Sequence, residues 1–408
     1  MTENFKYGRK DIAVSFPAGA EQLAFKEPEC TVSRHRFLEE LTALLPSDKK
    51  CYASVAIVVS DKTRQCGYPV ILPWVTEALI SKGASGKNIT FYIAYGTHPA
   101  QSEDESIACF GETYRKYRFI HHQCADDHVF KEVGVTSGGT PVRIRKDVLE
   151  SSLILTVGAI SHHYFAGYGG GRKLLFPGLA QKRSIEFNHG LFLNRDKKKL
   201  HEGCQPGNLD GNPVAEDLKE IDEMVPPKIS VHGILNSRGE ICHIAMGKSY
   251  DDFLAACREY DHYFRSGTSG QYDMVVASCG GYPKDINFIQ AHKSVHNAAA
   301  FVRDEGKLIL FSECIDGIGS ETFMKYLKTG SYEEVFEVLT RHYEGNGGTA
   351  LSLMGKTGRI NIYLYSSLDE SICQILRVRK VSEKDIRTRI KMNTGSLAVI
   401  KNAGLLVK

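Results

Sequence analysis

Five short apolar runs recur along the chain: YASVAIVV (52–59), ITFYIAY (89–95), SLILTVG (152–158), DMVVASC (273–279) and KLILFSE (307–313). They are rich in β-branched and aromatic residues and lack strict polar alternation. That pattern predicts strands buried on both faces of a parallel sheet. Amphipathic spacing between and after them predicts helices over 68–82, 102–117, 251–264, 289–303, 320–328 and 332–342. Ser102 followed by Glu105 has the form of a capping box at the start of the second of these. Strand alternating with helix predicts an α/β fold, with two α/β domains, mostly parallel sheets and an interdomain active-site cleft.

A chain of 408 residues exceeds one ordinary core. The turn-rich RSGTSGQYD (265–273) precedes a new strand and predicts a boundary there, giving domains over 1–268 and 269–393. The last stretch, GSLAVIKNAGLLVK (about 394–408), is expected to return to the first domain as a strand. The polar segment 194–227, with NRDKKK and QPGNLDGNP, reads as an excursion within the first domain.

Composition narrows the class further. With 42% hydrophobic residues, 24% charged residues and a net charge of +3, nothing calls for a nucleic acid or an acidic membrane partner. MTENFKYGRKDIAVSF lacks an apolar signal core, and no run approaches the roughly 20 residues of a membrane span. The 11 cysteines, with no C-x-x-C pair, predict reduced thiols in a cytoplasmic protein. None of this sets an oligomeric state.

Four predicted strands end in loops dense in polar residues and glycine: SDKTR (60–64), GTHP (96–99), SHHYFAGYGGGRK (161–173) and GGYPKDINFIQAHK (280–293). Ligands of open α/β sheets bind beyond the carboxyl ends of the strands. In the third loop Gly167, Gly169, Gly170 and Gly171 precede Lys173, but the stretch matches neither a P-loop nor a dinucleotide fingerprint. Two readings stay open: amides that approach an anion closely, or a tightly packed turn. A lysine shielded from water can act as a nucleophile. His98, His163 and His189 are acid/base or metal-ligand candidates among 15 histidines. Arg64 and Lys293 could hold a small carboxylic acid. The HKSVH pair His292 and His296 lacks the glutamate of a zinc-protease motif and reads as incidental.

The set DKTR, GTHP, SHHYFAGYGGGRK…PG…NH (161–189) and GYPKDINFIQAHK, in this order and spacing, resembles the nickel-dependent lactate racemase family. The resemblance implies a racemase or epimerase of a small 2-hydroxy acid. It implies a nickel-pincer nucleotide, Ni(II) pyridinium-3,5-bisthiocarboxylic acid mononucleotide, linked through Lys173 and supplied by separate maturation enzymes. It implies nickel ligation by His189 and acid/base roles for His98 and His163. It further implies cofactor contacts by Asp61, Thr63, Gly170 and Gly171, and substrate orientation by Arg64, Gln290 and Lys293. The chemistry is coherent, because moving hydride avoids forming a carbanion next to a carboxylate. Two positions depart from the family pattern. Ile289 replaces a tyrosine before the glutamine, and the only tryptophan, Trp74, lies outside the second domain. A 2-hydroxy acid other than lactate, larger or more polar, is therefore expected. Two other readings stay open. One is a redox enzyme that releases the keto acid, using the same cofactor or a nicotinamide. The other is a non-catalytic nucleotide- or metal-binding protein.

Overall fold

The computed structural model describes residues 1–226 and 228–408, which form two compact units. The first comprises Glu27–Leu191 and Gly203–Tyr263; the second comprises Met1–Lys26, Phe192–Glu202 and Phe264–Lys408. No helix among the described residues is long and apolar enough to cross a membrane.

The first unit is built on a six-stranded sheet in the order Ile241–Gly247, Ile229–Leu235, Leu153–Ala159, Val55–Ser60, Ile89–Ala94, Arg118–His121. All neighbours are parallel except the first pair. Every residue of Val55–Ser60 is buried, as its unbroken apolar run requires of a central strand. The chain moves outward from this strand through Ile89–Ala94 to Arg118–His121, then comes back to lay Leu153–Ala159 on its other side. The strand order therefore reverses between Val55–Ser60 and Leu153–Ala159. The loops that leave these two strands flank the crevice of a topological switch point.

The second unit has a fully parallel sheet in the order Arg379–Lys380, Asn361–Tyr365, Val302–Phe311, Tyr272–Ser278, Leu397–Ile400, Glu21–Gln22. This corrects the expectation for the C-terminus. Leu397–Ile400 does not return to the first domain; it lies between Tyr272–Ser278 and the N-terminal segment. All four of its residues are buried, and a run with no polar side belongs inside a sheet. The N-terminal hairpin of Thr2–Tyr7 with Lys10–Ser15 joins the same unit, where Phe5 stacks on Phe311 at 4.9 Å.

Other expectations are refined. Gly111, at φ 62°, divides the helix predicted over 102–117 into Glu103–Phe110 and Glu112–Lys116, and the Ser102–Glu105 capping box forms. The polar excursion is split. Leu193 joins the core of the second unit, while Asn212 caps helix Pro213–Met224 in the first. Trp74 packs edge-on against Phe37 at 5.4 Å within the first core. Cys30 and Cys242 are joined as a disulfide, a correction to the expectation of reduced thiols; nine cysteines are free. The pairing is tertiary, since the segment after Cys30 bonds back to the strand that carries Cys242 through Thr31 N–H and Cys242 O at 3.1 Å.

Candidate active site

The first loop of the crevice begins at Asp61, which caps the short turn Lys62–Arg64. Its Oδ1 accepts from Thr63 N–H at 2.7 Å and from Thr63 Oγ1 at 2.6 Å. Its Oδ2 meets His98 Nδ1 at 2.7 Å. Burial alone would raise the Asp61 pKa; the bond from His98 and that of Thr63 outweigh it and hold the group at about 2. The carboxylate is thus ionised near neutrality and accepts from His98 Nδ1, a bond that in the neutral imidazole selects the tautomer with its lone pair on Nε2. Tyr68 anchors this loop to the neighbouring strand by accepting from Ser60 N–H and donating to Val157 O.

This dyad has a stability consequence. Its folded pKa lies below the ordinary 3.8, so the unfolded chain binds more protons between about pH 2 and 4. The contribution is complete above that window and is lost as pH falls through it. A shift of this size corresponds to about 2 kcal/mol. Asp61→Asn is expected to lower the unfolding free energy by that amount at pH 7. In urea titrations the two proteins should converge near pH 2; parallel curves from pH 2 to 5 would count against the linkage.

His98 sits in the loop after Ile89–Ala94. Gln101, which sequence reading passed over, is buried and joins this loop to the first. Its Oε1 accepts from Lys62 N–H at 2.8 Å, its Nε2 donates to Ser106 Oγ at 3.1 Å and its backbone N–H donates to Tyr95 OH at 3.2 Å. Gly96 N–H donates to Gly178 O, and Gly178 N–H donates to Lys173 O, so the His98 loop is also tied to the segment that carries Lys173.

After Leu153–Ala159 the chain makes a tight hairpin pairing Ser161–His163 with Gly167–Gly169. At its tip Ala166 N–H donates to His163 Nδ1 at 3.2 Å. The ring of Phe165 lies 4.6 Å from the His163 ring and 5.0 Å from the His189 ring, edge to face with both, and 5.6 Å from Lys173 Nζ. One phenyl group thus gathers three of the predicted residues from three elements. Nothing but its place beside the histidines marked it in the sequence.

Burial drives the Lys173 pKa well below the usual lysine range, reinforced by the Arg64 and Arg172 cations. Among the described residues no carboxylate pairs with it. Burial, then Lys173 and His98, pushes His189 down to about 3. Both groups are therefore favoured in their neutral forms, the forms in which an amine can act as a nucleophile and an imidazole can ligate a metal. His189 ends helix Lys182–Gly190. Preceding it is Asn188, fully buried, whose Oδ1 has no partner among the described residues.

The glycines answer first to packing. Gly170 adopts φ 74°, ψ −167°, a conformation essentially reserved for glycine, and a Cβ there would strike the Ala159 carbonyl. A Cβ on Gly171 would come within 2.5 Å of the Phe253 ring. Arg172 lies buried over that ring at 4.6 Å. These contacts account for the glycines as a packed turn.

Gln290 and Lys293 belong to the second unit. They occupy one face of helix Phe288–Ala299, where Lys293 Nζ donates to Gln290 Oε1 at 2.7 Å. Ile289 packs against that unit's core. His292 and His296 are buried on the same helix with ring centroids 6.4 Å apart. Among the described residues no group of three or more His, Cys, Asp or Glu is placed to hold a metal ion.

The fold and this cluster define a two-unit α/β protein whose reactive side chains gather at a switch point. A lactate racemase N-terminal domain model matches residues 38–201, which include every first-unit candidate, and a lactate racemase C-terminal domain model matches 268–345, which includes Gln290 and Lys293. The lactate racemase of Thermoanaerobacterium thermosaccharolyticum is 28% identical over 277 residues, 67% of this chain and 63% of that protein. That of Lactiplantibacillus plantarum is 27% identical over 272 residues, 66% and 62% of the two chains. The match thus spans a little under two thirds of each relative. The lactate racemase apoprotein structure from Thermoanaerobacterium thermosaccharolyticum superposes with a TM-score of 0.88 at 21% identity, over 100% of this chain and 99% of that one. A Thermotoga maritima protein superposes at 0.69 with 16% identity, over 93% and 99%. The chain belongs to the lactate racemase family, whose named members here are isomerases.

Proposed function

We propose that this protein racemises or epimerises a 2-hydroxy acid, using a nickel-pincer nucleotide bound beside Phe165. The convergence of Lys173, His189 and His163 on that ring, with the Asp61–His98 dyad tied to the same segment, carries the reading. The residues fit the group: an uncharged lysine can anchor it, a neutral buried imidazole can ligate its metal, and the buried Asn188 Oδ1, one residue away, has no partner among the described residues. Lys173 and His189 would hold it, with Thr63, Asp61, Gly170 and Gly171 alongside. When bound, the group supplies an electrophilic centre that takes up and returns a hydride.

The chain's own residues do the rest. His98 Nε2, backed by the Asp61 carboxylate, takes the hydroxyl proton as general base. His163, whose Nδ1 accepts from Ala166 N–H, would serve as the acid/base for the opposite enantiomer. Arg64 orients the carboxylate of the acid; substrate contact by Gln290 and Lys293 rests on the family resemblance alone.

Intact-protein mass spectrometry, under native and then denaturing conditions, tests this on protein from cells supplied with nickel and the maturation pathway. A nickel-containing nucleotide adduct is expected, and Lys173→Ala should abolish its covalent retention. A chiral screen of 2-hydroxy acids then names the substrate, with bulkier or more polar acids expected to outrun lactate. No adduct in either state, with the pathway shown to work, would overturn the proposal. Net accumulation of a 2-keto acid would replace racemisation by oxidation.

A further inference from the structure

Asp217 lies in helix Pro213–Met224 and is 4% exposed. Among the described residues no lysine, arginine or histidine pairs with it. Three neutral donors converge on it instead: Thr136 Oγ1 at 2.5 Å, Thr140 Oγ1 at 2.8 Å and Asn188 Nδ2 at 2.7 Å. Thr136 Oγ1 also accepts from Thr140 N–H at 2.9 Å, which closes the turn around the carboxylate. A buried carboxylate is costly without such partners, and these come from two segments, the Thr136–Thr140 turn and helix Lys182–Gly190. The arrangement fixes their mutual geometry.

The consequence falls on His189. Asn188 is a poor helix former, yet it occupies the last turn of Lys182–Gly190, held there by its side-chain bond to Asp217. Successive residues of a helix point about 100° apart. Pinning Asn188 inward therefore sets the direction of the next side chain. That side chain is His189, which meets Phe165 at 5.0 Å. Helix ends fray readily when nothing holds them.

We propose that Asp217 is the positioning residue of His189, holding the last helical turn through Asn188 so that the imidazole is presented to the bound metal. The metal arm rests on the function proposed above. The orientation arm is testable without cofactor.

The variants are Asp217→Asn, Asn188→Ala and the exchange Asn188→Asp with Asp217→Asn, which re-forms the amide–carboxylate bond with its roles reversed. Histidine-labelled apoprotein reports the ring-current shift of His189 from Phe165 by NMR. Loaded protein reports imidazole nitrogen at nickel by X-ray absorption. The two broken-pair variants are expected to move the His189 resonances toward unstructured values, weaken the imidazole signal and lower kcat/KM by about 10- to 100-fold. The exchange should bring all three back toward wild type. Variants that lower Tm but leave the His189 resonances and the nickel signal unchanged would reduce Asp217 to a structural role and overturn the proposal. A wild-type nickel signal in His189→Ala would overturn the ligand assignment, and this proposal with it. The two failures are told apart by which variant is silent.

Discussion

His98→Ala is expected to lower kcat/KM for the 2-hydroxy acid by about 10²- to 10⁴-fold, the usual worth of a positioned general base. The imidazole is bound at one end only. Nδ1 is committed to Asp61 at 2.7 Å, while the side chain keeps 45% of its surface exposed and its Nε2 has no partner among the described residues. Its core burial is small, so the substitution should cost little stability and leave the adduct mass unchanged. Asp61→Asn should also lower the rate, because an amide can stabilise the wrong tautomer and cannot stabilise the imidazolium. The measurement is steady-state racemisation from each enantiomer, with Tm as control. A loss below twofold in both directions would remove His98 from the chemistry. Loss of racemisation in both directions, with single-turnover formation of the 2-keto acid retained from one enantiomer only, would identify its facial role.

Gly170→Ala is expected to have the largest effect on folding, about 3–5 kcal/mol. Two costs add. A residue with a side chain must enter a backbone region that only glycine occupies readily, and its Cβ must displace the Ala159 carbonyl at the end of a central strand. The carbonyl cannot swing aside as a flexible side chain would. Tm should fall by roughly 10 °C. Gly211→Ala is the control: it also has positive φ, 65°, but a Cβ there meets nothing within 4 Å. Its cost should stay near 1 kcal/mol. Equal losses at the two positions would mean that backbone strain alone, and not packing against the strand, explains the glycine.

The contrast between these residues shows where sequence was sufficient. The polar loops after Val55–Ser60, Ile89–Ala94 and Leu153–Ala159 were legible because strand ends and side-chain chemistry are local properties. The capping box at Ser102 and Glu105 was legible for the same reason. Family resemblance then assigned roles that spacing had left open. Phe165, Gln101 and Asp217 were not legible. An apolar residue beside two histidines, an amide in a loop and an acid in a helix carry no mark until distant segments close on them. Leu397–Ile400 was legible as a strand but not as to its sheet, since buried strands of either unit read alike.

The sequence by itself determined the α/β class, several of the buried strands, about half of the helices and the chemical character of the loops, because periodicity and capping act over a few residues. Only the tertiary structure decided the strand order, and with it the switch point that couples His98, Lys173 and His189 electrostatically and sets His163 against the same Phe165 ring. It alone decided that the glycines are demanded by Ala159 and Phe253, and that the C-terminal strand lies beside Tyr272–Ser278. The physical reason is that pairing and close approach join residues far apart along the chain, and no local pattern encodes which partner a buried strand or a lone carboxylate will meet.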